Sequence, residues 1–217
     1  SSVVVTPISF EAGGSPVFFG GVWNVAVMPL CVRLLSALNA ATKWVVSGAV
    51  FSVLVWRHDR QVCWCVLGSI LAAGNCKILK RVINESRPPG AREADPGMPS
   101  SHAQSLSFLS TYCAAELVVL SFDGPWWLML AACASVLGGS FLAWLRVAMG
   151  YHTRAQVVVG YALGSAGAVV WWLLGDRLLD TLTTNAVASL FVVTLVSSAC
   201  FAQQILQKHL KKWFASS

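Results

Sequence analysis

Charge is what this chain has least of. Asp, Glu, Lys and Arg together make up 11% of its 217 residues, against 56% hydrophobic residues. Soluble domains carry about 25% charged residues, so an ordinary soluble fold is excluded. Acids are scarcest, at nine against fifteen Lys and Arg, and they form no cluster of the kind that holds a metal. The seven cysteines, Cys31, Cys63, Cys65, Cys76, Cys113, Cys133 and Cys200, have neither metal-ligand spacing nor a disulfide framework. They lie in or beside apolar segments and read as small buried hydrophobes. No repeat or low-complexity stretch is present. The net charge of +6 does not indicate nucleic acid. The basic residues gather at the ends of apolar segments, where membrane topology and anionic headgroups account for them.

What the chain has in quantity is apolar runs close to the roughly 20 residues that cross a bilayer. They predict an all-α fold, a polytopic membrane bundle of about six transmembrane helices. Residues 1–42 read as an N-terminal segment. Within it Ser1–Gly14 has the small, acid-poor character of a processed targeting peptide, and Pro16–Leu35, broken by Gly20, Gly21, Asn24 and Pro29, reads as an interfacial or re-entrant helix rather than a span. Residues 43–207 read as the membrane domain, with crossings over Trp44–Trp56, Val62–Leu79, Ala103–Phe122, Trp126–Leu145, Val157–Leu174 and Ala186–Leu206. Residues 208–217 form a basic tail with Lys208, Lys211 and Lys212. Alternating crossings place Lys80–His102 and Arg146–Gln156 on one face of the membrane, and Arg57–Arg60, Asp123 and Asp176–Asp180 on the other. The basic excess of the first face suggests the cytoplasmic or stromal side.

Three polar stretches therefore meet. In Gly97–Gln104, Pro99 sets a turn and Ser100 or Ser101 can cap a helix beginning near His102. A helix start with a hydroxyl is an anion site, and His102 adds a titratable group. Lys80 at a helix end and Arg87, held extended by Pro88, can converge on one dianion. His152 and Gln156, four apart, would share a helical face. Gln156 could then accept from one ring nitrogen of His152 and leave the other towards the anion, with Arg146 nearby.

Lys80…Arg87-Pro88, Pro99-Ser100-Ser101-His102 and Arg146…His152…Gln156 resemble the three motifs of the type 2 phosphatidic acid phosphatase superfamily. That superfamily includes membrane lipid phosphatases, glucose-6-phosphatase and vanadium haloperoxidases. The resemblance covers Lys80–Gly160 by motif, and the six-helix layout extends it over most of the chain. Asp95–Gln104, Tyr151-His152-Thr153 and Gln156-Val157 are similar to a branch that holds the plant chloroplast lipid phosphate phosphatase epsilon type and the dolichyl-diphosphate phosphatases. Trp56-Arg57-His58-Asp59, Leu145-Arg146-Val147 and Gln156–Gly160 favour the plastid type.

The resemblance implies roles. His152 would be the nucleophile that forms a phosphohistidine, and His102 the general acid that protonates the leaving alkoxide. Lys80, Arg87 and Arg146 would hold the phosphoryl oxygens, with Ser100 and the backbone at Ser101 completing the cradle. No metal or other cofactor is implied, because fixed cations and a helix terminus supply the charge stabilisation. The implied partners are a lipid phosphate substrate and the bilayer. The implied reaction is hydrolysis of phosphatidate to diacylglycerol and phosphate, and the implied place is the chloroplast envelope, with the endoplasmic reticulum as alternative. A polyprenyl or dolichyl diphosphate is the alternative substrate.

The chain departs from the family pattern at Leu145, where a Ser is usual, at Ser101, where a Gly is usual, and at Gln156, where an Asp is usual. A Gln orients the histidine without supplying a charge, which admits a non-catalytic lipid-phosphate binding protein as a third reading. Glu116, inside a crossing, is costly there and reads as structural or protonated.

Overall fold

The computed structural model describes residues 28–57, 59–89, 91 and 95–214. Six α-helices make up this part: α1 (Met28–Arg57), α2 (Arg60–Ile83), α3 (Ser101–Phe122), α4 (Trp127–Ala148), α5 (Arg154–Leu178) and α6 (Thr184–Phe214), with a 3-10 turn at Leu179–Thr181 after α5. Five of them, α1 to α5, are long and apolar enough to cross a membrane, and α6 contributes a shorter apolar stretch, Asn185–Cys200. The protein is an integral membrane protein. Its outer surface carries large apolar side chains throughout, as a lipid-facing bundle must. Trp56, Phe122 and Trp126, among the most exposed, sit where α1 and α3 end and α4 begins, at one membrane interface.

Local chemistry ends the helices where the sequence breaks. Asp59 caps α2 by accepting from the Val62 N–H, and Asn84 closes it in the left-handed region at φ 47°. Ser100 caps α3 and Thr153 caps α5. The helices run further than the apolar runs alone, because their polar ends remain hydrogen-bonded outside the hydrocarbon. The N-terminal expectation changes accordingly. Residues 28–42 are one continuous helix with the first crossing, and Pro29 falls in its first turn, where a missing N–H costs nothing. The interfacial helix expected over Pro16–Leu35 therefore does not exist as a separate element in residues 28–35. Its remainder, and Ser1–Gly14, lie outside the described residues. At the other end the basic tail continues α6 as far as Phe214.

Helix α3 is the centre of the bundle, packed along both α4 and α5. The close approach to α5 depends on Gly160 and Gly164, one helical turn apart. A Cβ at Gly160 would lie 2.7 Å from the Ser100 carbonyl oxygen, and one at Gly164 would run into Ser107 Oγ and the Gln104 carbonyl. A small-xxx-small face of this kind lets two membrane helices touch backbone to backbone. Elsewhere, Trp64 and Trp171 stack at 4.3 Å and each donates its indole N–H to the other's carbonyl. Glu116 accepts from Trp172 Nε1 at 3.1 Å, joining α3 to α5.

Two of the seven cysteines, Cys63 and Cys76, are buried; Cys31, Cys113, Cys133 and Cys200 are exposed on the outer surface. The expectation of buried cysteines fails for these four because in a bilayer the outside is as apolar as the core.

Candidate active site

The α2–α3 and α4–α5 connections meet at one end of the bundle. The link between them is built from backbone first: the Ser100 N–H donates to the Gln156 carbonyl at 3.0 Å, which seats the start of α3 beside the start of α5. At the opposite end, Arg60 reaches the Leu179 carbonyl and Asp180, so the two ends are separated as the alternation of crossings requires.

Around the seam stand three cations. Lys80 is buried in the last turn of α2 and donates to Asp95 Oδ2 at 2.8 Å and to the Pro96 carbonyl at 2.7 Å. The Arg87 side chain is 5% exposed and holds the same carboxylate through Nη2 at 3.0 Å, while its Nε donates to the Asp95 carbonyl. Asp95 thus fixes the spacing of two cations that sequence alone left independent. Arg146 is buried at the end of α4, donates to Asn39 Oδ1 of α1 at 3.4 Å, and lies over the Tyr151 ring at 4.1 Å. Its carbonyl accepts from the Tyr151 and His152 N–H groups, folding the connection so that His152 turns inward.

His152 is 3% exposed, and its two nitrogens are distinguished by their partners. Arg87 Nη1 lies 3.1 Å from Nε2. A guanidinium can only donate, so Nε2 accepts and carries a lone pair. Nδ1 therefore bears the proton and donates to Gln156 Oε1 at 3.1 Å. Burial holds the imidazole down at about 4 from its usual 6.5. Arg87 adds to this, the Gln156 hydrogen bond opposes it, and Arg146 and Lys80 contribute smaller depressions. All three cations thus favour the neutral form of one ring.

The contact between His152 and Gln156 does not come from a shared helical face. Helix α5 begins at Arg154, with Thr153 as its cap, and His152 precedes it. Gln156 instead folds back over the helix start in a capping box: Thr153 Oγ1 accepts from the Gln156 N–H, and Gln156 Oε1 accepts from the Thr153 N–H, both at 3.2 Å. The Thr-x-x-Gln pattern is legible in the sequence as a helix start.

His102 lies in the first turn of α3, two residues beyond the seam, and lines a cavity of about 540 Å³ with Ser101. The rest of the lining is largely apolar and comes from α1, α2 and α3, including Phe51, Leu54, Val66, Ile70 and Leu109, with Ser198 of α6. Ser100 was expected in the phosphate cradle. Its side chain is fully buried and accepts from the Ala103 N–H at 3.4 Å, so it builds the helix terminus that ends at the seam. Ser101 Oγ lies 3.3 Å from Cys76 Sγ, on the cavity side.

Glu85 and Asn39 join the site without having been singled out from sequence, and Asp95 and Tyr151, which belong to the stretches that carry the branch resemblance, had been given no role there. Asp95 and Glu85 lie inside or next to the motif stretches, but nothing in their spacing announced which cation or amide each would meet. Among the described residues no group of three or more His, Cys, Asp or Glu is placed to hold a metal ion.

No family model matches the chain. Over 177 residues it is 37% identical to lipid phosphate phosphatase epsilon 2, chloroplastic, of Arabidopsis thaliana, covering 80% of this chain and 61% of that protein. It is 41% identical over 143 residues to lipid phosphate phosphatase epsilon 1, chloroplastic, of the same plant, covering 65% of this chain and 50% of that one. It spans, then, between half and three-fifths of the length of these two relatives. Dolichyldiphosphatase 1 of Mus musculus is 28% identical over 161 residues, covering 69% of this chain and 67% of that one. Among solved structures, a transmembrane PAP2-type phosphatidylglycerolphosphate phosphatase of Bacillus subtilis superposes with a TM-score of 0.56 at 17% identity, over 69% of this chain and 79% of that one. That likeness is one of fold.

Proposed function

We propose that the chain is a membrane lipid phosphate phosphatase of the type 2 phosphatidic acid phosphatase superfamily, hydrolysing phosphatidate to diacylglycerol and phosphate; its likeness to the plant lipid phosphate phosphatases and the dolichyldiphosphatases supports this reading. The observation that carries this reading is the placement of His152. Its Nε2 lone pair is aimed at a buried guanidinium, the position a phosphoryl group would take if Arg87 turned to bind its oxygens. The neighbouring cavity, apolar for most of its lining and with His102 at the seam end, suits an acyl chain attached to that phosphate. The relatives' names, lipid phosphate phosphatase and chloroplastic, support the substrate class and a chloroplast membrane.

In this reading the catalytic membrane domain, expected over residues 43–207, also takes in residues 28–42, which are continuous with the first crossing and bring Asn39 to Arg146; the basic tail follows it. Lys80, Arg87 and Arg146 take the phosphoryl oxygens, with the α3 terminus built by Ser100 and Ser101 as a fourth source of positive potential. His152 Nε2 attacks phosphorus. As the N–P bond forms and the P–O bond to glycerol breaks, His102 gives its proton to the departing alkoxide. Gln156 holds the Nδ1–H throughout. Water then attacks the phosphohistidine, His102 takes a proton from it, and phosphate leaves with the ring restored.

The test is phosphate release by the purified chain from phosphatidate, lysophosphatidate and a polyprenyl diphosphate in mixed micelles, with His152→Ala as control. Turnover of phosphatidate that is lost in the control is the expected result. Turnover of the diphosphate alone reassigns the substrate, and binding of all three without turnover makes the chain a lipid-phosphate binding protein.

A further inference from the structure

The residue behind Gln156 is an acid. Gln156 is fully buried, and all four of its hydrogen-bonding positions are engaged. Oε1 accepts from His152 Nδ1 and from the Thr153 N–H. Nε2 donates to Glu85 Oε1 and to the Ser86 carbonyl, both at 2.8 Å. Flipping the amide would set its oxygen against a carboxylate and a carbonyl, so Glu85 and Ser86 determine which end of Gln156 faces His152. Gly97 closes the remaining side: a Cβ there would lie 2.5 Å from Gln156 Nε2, and the Gly97 N–H donates to the Glu85 carbonyl at 2.7 Å.

We propose that Glu85 is the positioning residue of His152, acting through Gln156. The carboxylate fixes the amide, and the amide fixes the Nδ1–H tautomer. The negative charge of Glu85 draws positive charge onto the Nε2 end of the amide and leaves Oε1 more negative towards the ring. A carboxylate directly on Nδ1 would stabilise the positive charge that develops as the ring attacks phosphorus. Here the same charge stands one residue back, conducted through a hydrogen-bonded amide that is itself fully buried. This explains how the site can carry Gln at position 156 and still favour the charged intermediate. It rests on the reading of His152 as nucleophile.

A purely structural role for Glu85, tying the α2–α3 connection to α5, makes a different prediction, and exchanging the two groups separates them. Glu85→Gln keeps an acceptor for Gln156 Nε2 and removes the charge. Single-turnover phosphorylation of His152 by phosphatidate should slow by about tenfold or more, the worth of a charge-assisted hydrogen bond, with KM changed by less than about threefold. The double exchange Glu85→Gln with Gln156→Glu puts the carboxylate directly on Nδ1 and the amide behind it. It should be faster than Gln156→Glu alone, because the Ser86 carbonyl opposes the new carboxylate in both variants and only the Glu85 charge differs between them. Gln156→Glu alone sets two carboxylates face to face and should be slow, and adding Glu85→Gln should rescue it.

That second comparison stands even if the Glu85→Gln protein does not fold. Full activity in Glu85→Gln, or a double exchange no faster than Gln156→Glu alone, overturns the proposal. If His152→Ala keeps its turnover, the nucleophile assignment fails instead, whatever Glu85 does.

Discussion

If Arg87 faces the His152 ring as the structure places it, removing the guanidinium should make His152 easier to protonate. The fall of the imidazole from 6.5 to about 4 is worth roughly 3 kcal/mol at about 1.4 kcal/mol per pH unit. Burial supplies the largest part, and Arg87, 3.1 Å from Nε2, the next. Two unit charges about 4 Å apart at an effective dielectric constant near 20 would repel by about 4 kcal/mol. Asp95 is bonded to the same guanidinium and cancels much of that field, leaving roughly 1 to 2 kcal/mol, or about one pH unit.

The perturbation is Arg87→Gln. The assay must not depend on turnover, because Arg87 is also proposed to bind phosphate. Diethyl pyrocarbonate modifies neutral imidazole, so the modification rate of the His152 peptide, followed by mass spectrometry against pH, titrates that ring. Half-maximal reactivity is expected at about pH 4 in the parent and about one unit higher in Arg87→Gln. The sign follows from the charge: a cation disfavours the imidazolium, so its loss raises the midpoint. A parent midpoint near 6.5, or a variant midpoint that stays or falls, refutes the geometry. The same depression has a stability consequence. Below about 6.5 the unfolded chain takes a proton that the folded chain refuses until about pH 4, so the contribution of this ring to stability is complete above 6.5 and is lost as pH falls through that window.

Two further outcomes test other parts of the site. His102→Ala should slow phosphatidate far more than an aryl phosphate, whose leaving group departs without a proton, by about 10² to 10⁴-fold against a small effect; equal losses on both would remove the acid role from His102. Gly164→Leu should separate α3 from α5 at Ser107 and Gln104, lowering thermal stability in detergent and activity together. A variant with the parent's melting temperature would show that the close helix contact is not needed.

Much of this protein is determined by its sequence taken alone. Apolar runs of bilayer length, bounded by Asp59, Asn84, Ser100, Asp123 and Thr153, leave an α-helical membrane bundle as the only way to satisfy the backbone in lipid. Because crossings alternate, Lys80, Arg87, His102, Arg146 and His152 had to share a face before any coordinate was known. What only tertiary structure decided is which polar group each of them meets. Asp95 clamps Lys80 to Arg87, Asn39 reaches Arg146 from α1, and Glu85 stands behind Gln156. These pairings join residues up to 107 positions apart, and no periodicity encodes them. The His152–Gln156 contact marks the boundary between the two. Its four-residue spacing was visible, but whether it would be a helical face or a fold-back over a helix cap depended on where α5 begins. That start is set jointly by the local Thr153–Gln156 capping box and by the pairing of α5 with Ser100, which only the packed bundle supplies.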